Sequence, residues 1–250
     1  MHIVLLAAGR GSRMGARTSD RPKPLVELSS GCTIVDVASG IYMQQNNVER
    51  LIIVGGYMFE KWQAFKEASP YSDRITLINN KDYAQFGPMY SVALGVAEIA
   101  SSVGSIAITN GDTIIKKGAM ARIQACAPKN GFYICASRVT NPDPDDVVLT
   151  IDADSRVLAA TKQLSPLNPV LVSAGFIGAT GEENCAKLKL AVLGALMNGA
   201  ASNQSQPWHG IVRKIAEGGN RIEAIEIDRL DWREFDDEHE VIRHGADITL

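Results

Sequence analysis

Along the first half of this chain, short apolar runs alternate with stretches that carry a helical spacing. The runs are residues 2–6, 51–55, 75–79 and 105–109. They lack a regular apolar–polar alternation, which is how a strand buried on both faces reads. Segments near 33–45, 59–68 and 89–100 lie between them and predict helices. Strands separated by helices predict an α/β architecture, a mixed and mostly parallel sheet with helices on both faces. Beyond about residue 130 the pattern changes. Phe132–Arg138 and Val147–Ile151 read as strands, and Asp152-Ala153-Asp154-Ser155 reads as a turn into Val157–Thr161. That is a hairpin, a small β lobe inserted after the parallel half. A strand over 170–178 and a helix over 181–198 follow, and the small polar segment Asn198–Gln206 is expected to be a loop. With no repeat and no linker, 1–250 is expected to be a single domain, with halves of about 1–128 and 129–250.

Composition narrows the function classes. A hydrophobic fraction of 46% supports a sizeable core, and a net charge of −3 without charged runs argues against general nucleic-acid binding. Cys32, Cys126, Cys135 and Cys185 are widely spaced, outside any CxxC or metal-ligand pattern. Reduced thiols in a cytoplasmic protein are the expectation. The N-terminal apolar run is too short for a signal peptide, and no run reaches membrane-spanning length, so no membrane partner is expected.

The chemistry concentrates in the first 25 residues, MHIVLLAAGRGSRMGARTSDRPKPL. A strand opens into a glycine-rich turn, and Lys23 follows between Pro22 and Pro24. Glycines let backbone N–H groups approach phosphate oxygens, and cations neutralise them. Proline fixes its own φ and biases its predecessor toward extended backbone, so Lys23 stands on a stiff segment. The dinucleotide fingerprint G-x-G-x-x-G fails by one residue, because Gly15 stands where position 14 is required, and the P-loop pattern is absent. The glycine spacing disfavours a Rossmann oxidoreductase.

What stands here is L-A-A-G-x-G-x-R-M followed by R-P-K-P-L. It resembles the signature of the nucleotidyltransferases that load sugar phosphates and alcohol phosphates onto nucleotides, and the chain is most similar to the choline-phosphate and phosphonate cytidylyltransferase branch. The resemblance implies a Rossmann-like fold of the nucleotide-diphospho-sugar transferase type, with a nucleotide-binding first half and an acceptor-binding second half. It implies that Leu6, Ala7, Ala8 and Gly9 contact base and ribose, that Gly11 and Arg13 wrap the triphosphate, and that Lys23 meets the α-phosphate. Asp112, after the run Ser105–Asn110, is implied as a Mg2+ ligand, and Asp236 as the second, with Glu234 and Asp237 as lesser candidates. The competing reading makes Asp236 or Asp237 the cap of a helix near 238–245. Gly56, Gly87 and Ser91 are matched to nucleotide-binding turns, although Gly87-Pro88 replaces the Asn-Asn usual in this branch. Lys162 is matched to an acceptor-phosphate ligand, against the reading of an exposed surface lysine. Trp208 is matched to the acceptor wall, against plain core packing. His209 stands where the branch carries an acid suited to a cationic head group, which makes a quaternary ammonium less expected.

The implied activity is transfer of CMP from CTP to a small phosphate- or phosphonate-bearing acceptor, with Mg2+ and release of pyrophosphate. A sugar-1-phosphate nucleotidyltransferase using UTP or another NTP shares every N-terminal residue named. A molybdenum-cofactor guanylyltransferase usually has a second glycine where Ala8 stands. A non-catalytic nucleotide sensor is expected to have lost Lys23 or Asp112. The left-handed β-helix of longer relatives is not expected. The acceptor stays open.

Overall fold

The computed structural model describes residues 1–162, 168–197 and 207–245. The strands are β1 (His2–Ala7), β2 (Arg50–Gly55), β3 (Ile75–Asn79), β4 (Ser105–Asn110), β5 (Thr113–Ile115), β6 (Gly131–Val139), β7 (Val148–Ile151), β8 (Val157–Thr161), β9 (Val170–Thr180), β10 (Ile222–Glu226) and β11 (Trp232–Glu234). The main sheet runs β10-β6-β9-β4-β1-β2-β3, with β7 and β8 attached beside β9. Pairing is parallel among β4, β1, β2 and β3 and between β10 and β6, while β9 runs antiparallel to both β4 and β6. The sheet is therefore mixed and mostly parallel, as the strand–helix alternation predicts.

Helices α1 (Ile34–Met43), α2 (Phe59–Ala68), α3 (Pro88–Ala97), α4 (Lys117–Cys126), α5 (Glu182–Ala195), α6 (Gly210–Glu217) and α7 (Glu238–His244) cover the sheet. Alternate residues of one strand face opposite layers. Ile3 and Leu5 pack with α1, α2 and α4 in one apolar cluster, and Val4 packs with α3, α5 and α6 in the other. Two-sided burial is why β1 reads as an unbroken apolar run. The predicted hairpin is β7–β8, and the Asp152 side chain closes its turn by accepting from the N–H groups of Asp154 and Arg156. The predicted loop Asn198–Gln206 and the last residue of the predicted 181–198 helix lie outside the described residues. None of the described helices is long and apolar enough to cross a membrane.

Two features aim side chains at one place. β1 and β4 are neighbours with Leu6 opposite Asn110, so the loops leaving both strands emerge side by side at their carboxyl ends. Gly111 presses against β1: its N–H donates to the Leu6 carbonyl at 2.8 Å, and a Cβ there would lie 2.6 Å from that oxygen. Farther on, β5 and β11 form a separate antiparallel ribbon that sets Glu234 opposite Thr113, and the Phe235 N–H donates to the Asp112 carbonyl at 3.0 Å. The sequence pattern does not predict this ribbon, nor α4, α6 or β10.

Candidate active site at the carboxyl ends of the central strands

The glycine loop leaves β1 and folds into a 3-10 turn over Ser12–Thr18, with Met14 buried beneath it. Gly11 takes the left-handed conformation (φ 69°, ψ 41°), and a Cβ on it would lie 2.5 Å from the Lys23 Cβ. Both the φ and the contact demand glycine. The loop is thus built against the lysine segment, whose Lys23–Leu25 turn starts from Pro22 in extended conformation.

Lys23 is the centre of the site. Its ammonium donates to Asp112 Oδ2 at 2.7 Å and to Asp236 Oδ1 at 2.6 Å, with only 9% of the side chain exposed. Burial works to depress its pKa, but the two carboxylates override that and raise it above the ordinary lysine value. Asp236 Oδ1 also accepts from Arg13 at 2.9 Å, and the other side of the Arg13 guanidinium donates to Asp145 Oδ2 at 2.8 Å. The remaining oxygen of Asp145 accepts from Lys162 Nζ at 3.0 Å. The result is one alternating chain of charges, Asp112–Lys23–Asp236–Arg13–Asp145–Lys162, laid across a cleft of about 430 Å3.

Asp112, Glu234 and Asp236 each offer an oxygen within 4.8 Å of the others. Burial, and then the like charges of Asp112 and Asp236, push Glu234 up to about 8. The Asp112 Oδ1 atom is buried and has no hydrogen-bond partner among the described residues. Asp237 divides from Asp236 here: its side chain accepts from the Glu240 N–H and caps α7, so the capping reading holds for Asp237 and not for its neighbour.

The cleft is lined by Leu6, Ala7, Gly9, Gly11, Arg13, Lys23, Asp112, Lys162, Trp208 and Asp236 among the sequence-predicted residues. A second cavity of about 470 Å3 lies on the other side of the loop, lined by Ala8, Gly87 and Ser91 together with Asn80, Tyr83 and Phe86. Ser91 is buried and its Oγ accepts from Asn80 Nδ2 at 2.9 Å. Gly56 is not brought to either lining. It sits at the end of β2, beside the loop, packed against the Ala8 carbonyl and Tyr83, and the next N–H, that of Tyr57, donates to the Ala8 carbonyl at 3.0 Å.

The far wall joins both readings of Trp208. The indole is 3% exposed within the apolar cluster under α3, α5 and α6, yet its Nε1 donates to Asn110 Oδ1 at 2.7 Å on the cleft. Asn110 Nδ2 in turn donates to Glu234 Oε1 at 3.3 Å. His209 packs against Trp208 with ring centroids 4.4 Å apart and the planes tilted by 33°, and contacts Ser173 Oγ through Nε2 at 3.0 Å. Burial, then the nearby Lys162 charge, pulls the His209 pKa down to about 3, so the ring is neutral. Asn80, Asn110, Asp145, Ser173 and His209 were not singled out as binding residues from the chain alone. Asn110 carries a local signal in the Asn-Gly-Asp turn after β4, Asn80 lies in the segment matched to a nucleotide-binding turn, and His209 marks a departure from the branch; Asp145 and Ser173 carry none.

Solved structures share this architecture. The CTP:phosphocholine cytidylyltransferase of Streptococcus pneumoniae superposes with a TM-score of 0.74 over 99% of this chain and 98% of its own, at 18% identity. Residues 3–182 match the MobA-like NTP transferase domain, and the chain belongs to that family. Its curated relatives include a choline-phosphate cytidylyltransferase from Streptococcus pneumoniae, 31% identical over 102 residues (41% of this chain, 42% of the relative). A 2-aminoethylphosphonate cytidylyltransferase from Lancefieldella rimae is 28% identical over 114 residues (46% of this chain, 44% of the relative). The matched stretch spans less than half the length of these two relatives.

Proposed function

We propose that this protein transfers CMP from CTP to a small acceptor bearing a phosphate or phosphonate group and releases pyrophosphate. One observation carries the reading: a buried ammonium, Lys23, held between Asp112 and Asp236 beneath a glycine loop at the ends of β1 and β4. The relatives named as choline-phosphate and aminoethylphosphonate cytidylyltransferases support CTP as donor and a phosphate or phosphonate as acceptor. In this reading the first half, about 1–128, holds the nucleotide and the second, about 129–250, holds the acceptor.

The carboxylates suit Mg2+, which prefers oxygen ligands and leaves places for phosphate. The unpartnered Asp112 Oδ1 is the observation in favour, and Asp112, Asp236 and Glu234 would hold the ion. Bound there, Mg2+ would offset negative charge on the phosphates.

The remaining work falls to the chain itself. Backbone N–H groups of the loop around Gly9 and Gly11 face the triphosphate. Ala8, Gly87 and Ser91 bound the base side. An acceptor oxygen attacks the α-phosphorus, the bond to the bridging oxygen breaks, and pyrophosphate leaves on the opposite side. Lys23 meets charge on the α-phosphate oxygens, Arg13 steadies the pyrophosphate, and Lys162 holds the acceptor's phosphate. No covalent intermediate is needed, because positioning and charge neutralisation suffice for this chemistry. Trp208 and the neutral His209 close the acceptor wall without an acid of their own.

The test is pyrophosphate release with each of four nucleoside triphosphates against choline phosphate, 2-aminoethylphosphonate and sugar 1-phosphates, with and without Mg2+. Release with CTP and a phosphate or phosphonate acceptor is expected. Release only with UTP and a sugar 1-phosphate would make the protein a sugar-nucleotide enzyme, and saturable NADH binding without any release would end the transferase reading.

A further inference from the structure

Asp145 stands out from the charge chain. It lies in the segment between β6 and β7, and its two oxygens are divided between the cation assigned to pyrophosphate, Arg13, and the cation assigned to the acceptor, Lys162. The three side chains come from distant parts of the chain: the glycine loop, the β6–β7 connection and the end of β8. All three line the cleft. A carboxylate with both oxygens on two cations offers them the same contacts as two oxygens of a phosphate or phosphonate.

We propose that Asp145 is an internal stand-in for the substrates' phosphate groups, a competing anion that the incoming phosphate or phosphonate must displace from Lys162 and the nucleotide's phosphates from Arg13. The inference deepens the proposed function, since it rests on those cations serving phosphates. Three observations carry it. Both ion pairs are exposed, with side-chain exposure of 57% for Arg13, 61% for Asp145 and 42% for Lys162, so water and salt weaken them and displacement is cheap. Arg13 keeps its second anchor on Asp236 when Asp145 leaves, so the cation stays in the cleft. Among the described residues no backbone N–H ties the Asp145 carboxylate in place, whereas the adjacent Asp146 accepts from the Asp143 N–H. Hydrogen bonding to Lys162, and then its charge, hold the Asp145 carboxyl below the usual range, so it is ionised and competes throughout the neutral range. Its role is therefore to hold the two cations apart from adventitious anions and to set how tightly the acceptor binds.

Removing the competitor tightens binding. Asp145→Asn keeps the shape and deletes the charge. Titration calorimetry of the intact chain with methylphosphonate as the probe is expected to show binding about fivefold tighter in Asp145→Asn than in wild type, which corresponds to ~1 kcal/mol. Asp143→Asn removes the same charge from the same exposed segment outside the bridge, and its affinity is expected to stay within about twofold of wild type. Unchanged or weaker binding in Asp145→Asn would overturn the proposal, since Asp145 would then be an organiser of the cations. An equal gain in Asp143→Asn would overturn it too, by reducing the effect to net charge. So would failure of methylphosphonate to bind either protein. A parallel titration with CTP separates the two readings: loss of CTP binding in wild type would refute the nucleotide assignment, while the methylphosphonate comparison still decides the role of Asp145.

Discussion

Lys23→Met is the perturbation with the largest consequence that can be worked from the geometry. Methionine keeps the length and most of the packing of the aliphatic stem but leaves Asp112 and Glu234 without the buried cation and Asp236 with Arg13 alone. Removing one partner of a buried pair costs about 3–5 kcal/mol. Asp112 and Asp236 retain 21% and 24% side-chain exposure, so the lower end, about 3 kcal/mol, applies. For a domain of this size that is a drop of roughly 6–12 °C in Tm. The wild-type ammonium has a raised pKa, so its stabilisation is complete below the ordinary lysine value of ~10.4 and constant across pH 5–8. In the variant Glu234 loses the Lys23 charge that holds its pKa down, so it stays neutral to a higher pH than in the wild type. The gap between wild type and variant is set by the lost ion pairs and is expected at every pH from 5 to 8. Divalent cation should narrow it, because Mg2+ supplies the missing charge and binds only the folded site. The assay is differential scanning fluorimetry at pH 5, 6.5 and 8 with and without MgCl2, alongside pyrophosphate release, where a loss of roughly 10²–10³ is expected. A variant that melts within about 2 °C of wild type at every pH, or that keeps wild-type turnover, refutes the reasoning.

Neighbouring acids should behave differently. Asp236→Asn is expected to cost roughly 10²–10³ in turnover, while Asp237→Ala loses the α7 cap, about 1 kcal/mol, with turnover unchanged; thermal melts paired with activity assays check both. The neutral His209 makes a pH prediction. Its folded pKa is depressed to about 3, so its contribution is present above the unfolded value of ~6.5 and is lost as pH falls through that window. At pH 5 the loss is about 2 kcal/mol, and a Tm profile from pH 7 to 5 should fall less steeply for His209→Gln; equal slopes would show that the ring is already charged in the fold.

Particular elements show what could be read from the chain. β1 to β4 and α1 to α3 are legible because each is a local pattern: an apolar run for a doubly buried strand, a helical spacing for a covering helix. The glycine loop and Lys23 are legible because the residue types carry the constraint, as Gly11 shows by needing both its φ and its missing Cβ. The β5–β11 ribbon was not legible. Each of its strands has three residues, too few for any periodicity, and they pair across more than a hundred positions. Lys162 shows a different difficulty: it is an exposed lysine, as one reading held, and it lines the cleft, which the acceptor-ligand reading requires.

The sequence by itself therefore determined the α/β alternation, the glycine loop and the identity of the cation behind it, because these depend on residue type and short-range spacing. The tertiary structure alone decided which acids meet that cation. Asp112 reaches Asp236 through a three-residue ribbon, Arg13 and Lys162 are bridged by Asp145, and Asp236 parts from Asp237 by the geometry of one helix cap. Charge–charge contacts between distant segments leave no periodic trace in a chain. They depend on where the backbone delivers each side chain to within a few ångströms, and that is set by packing of the whole sheet.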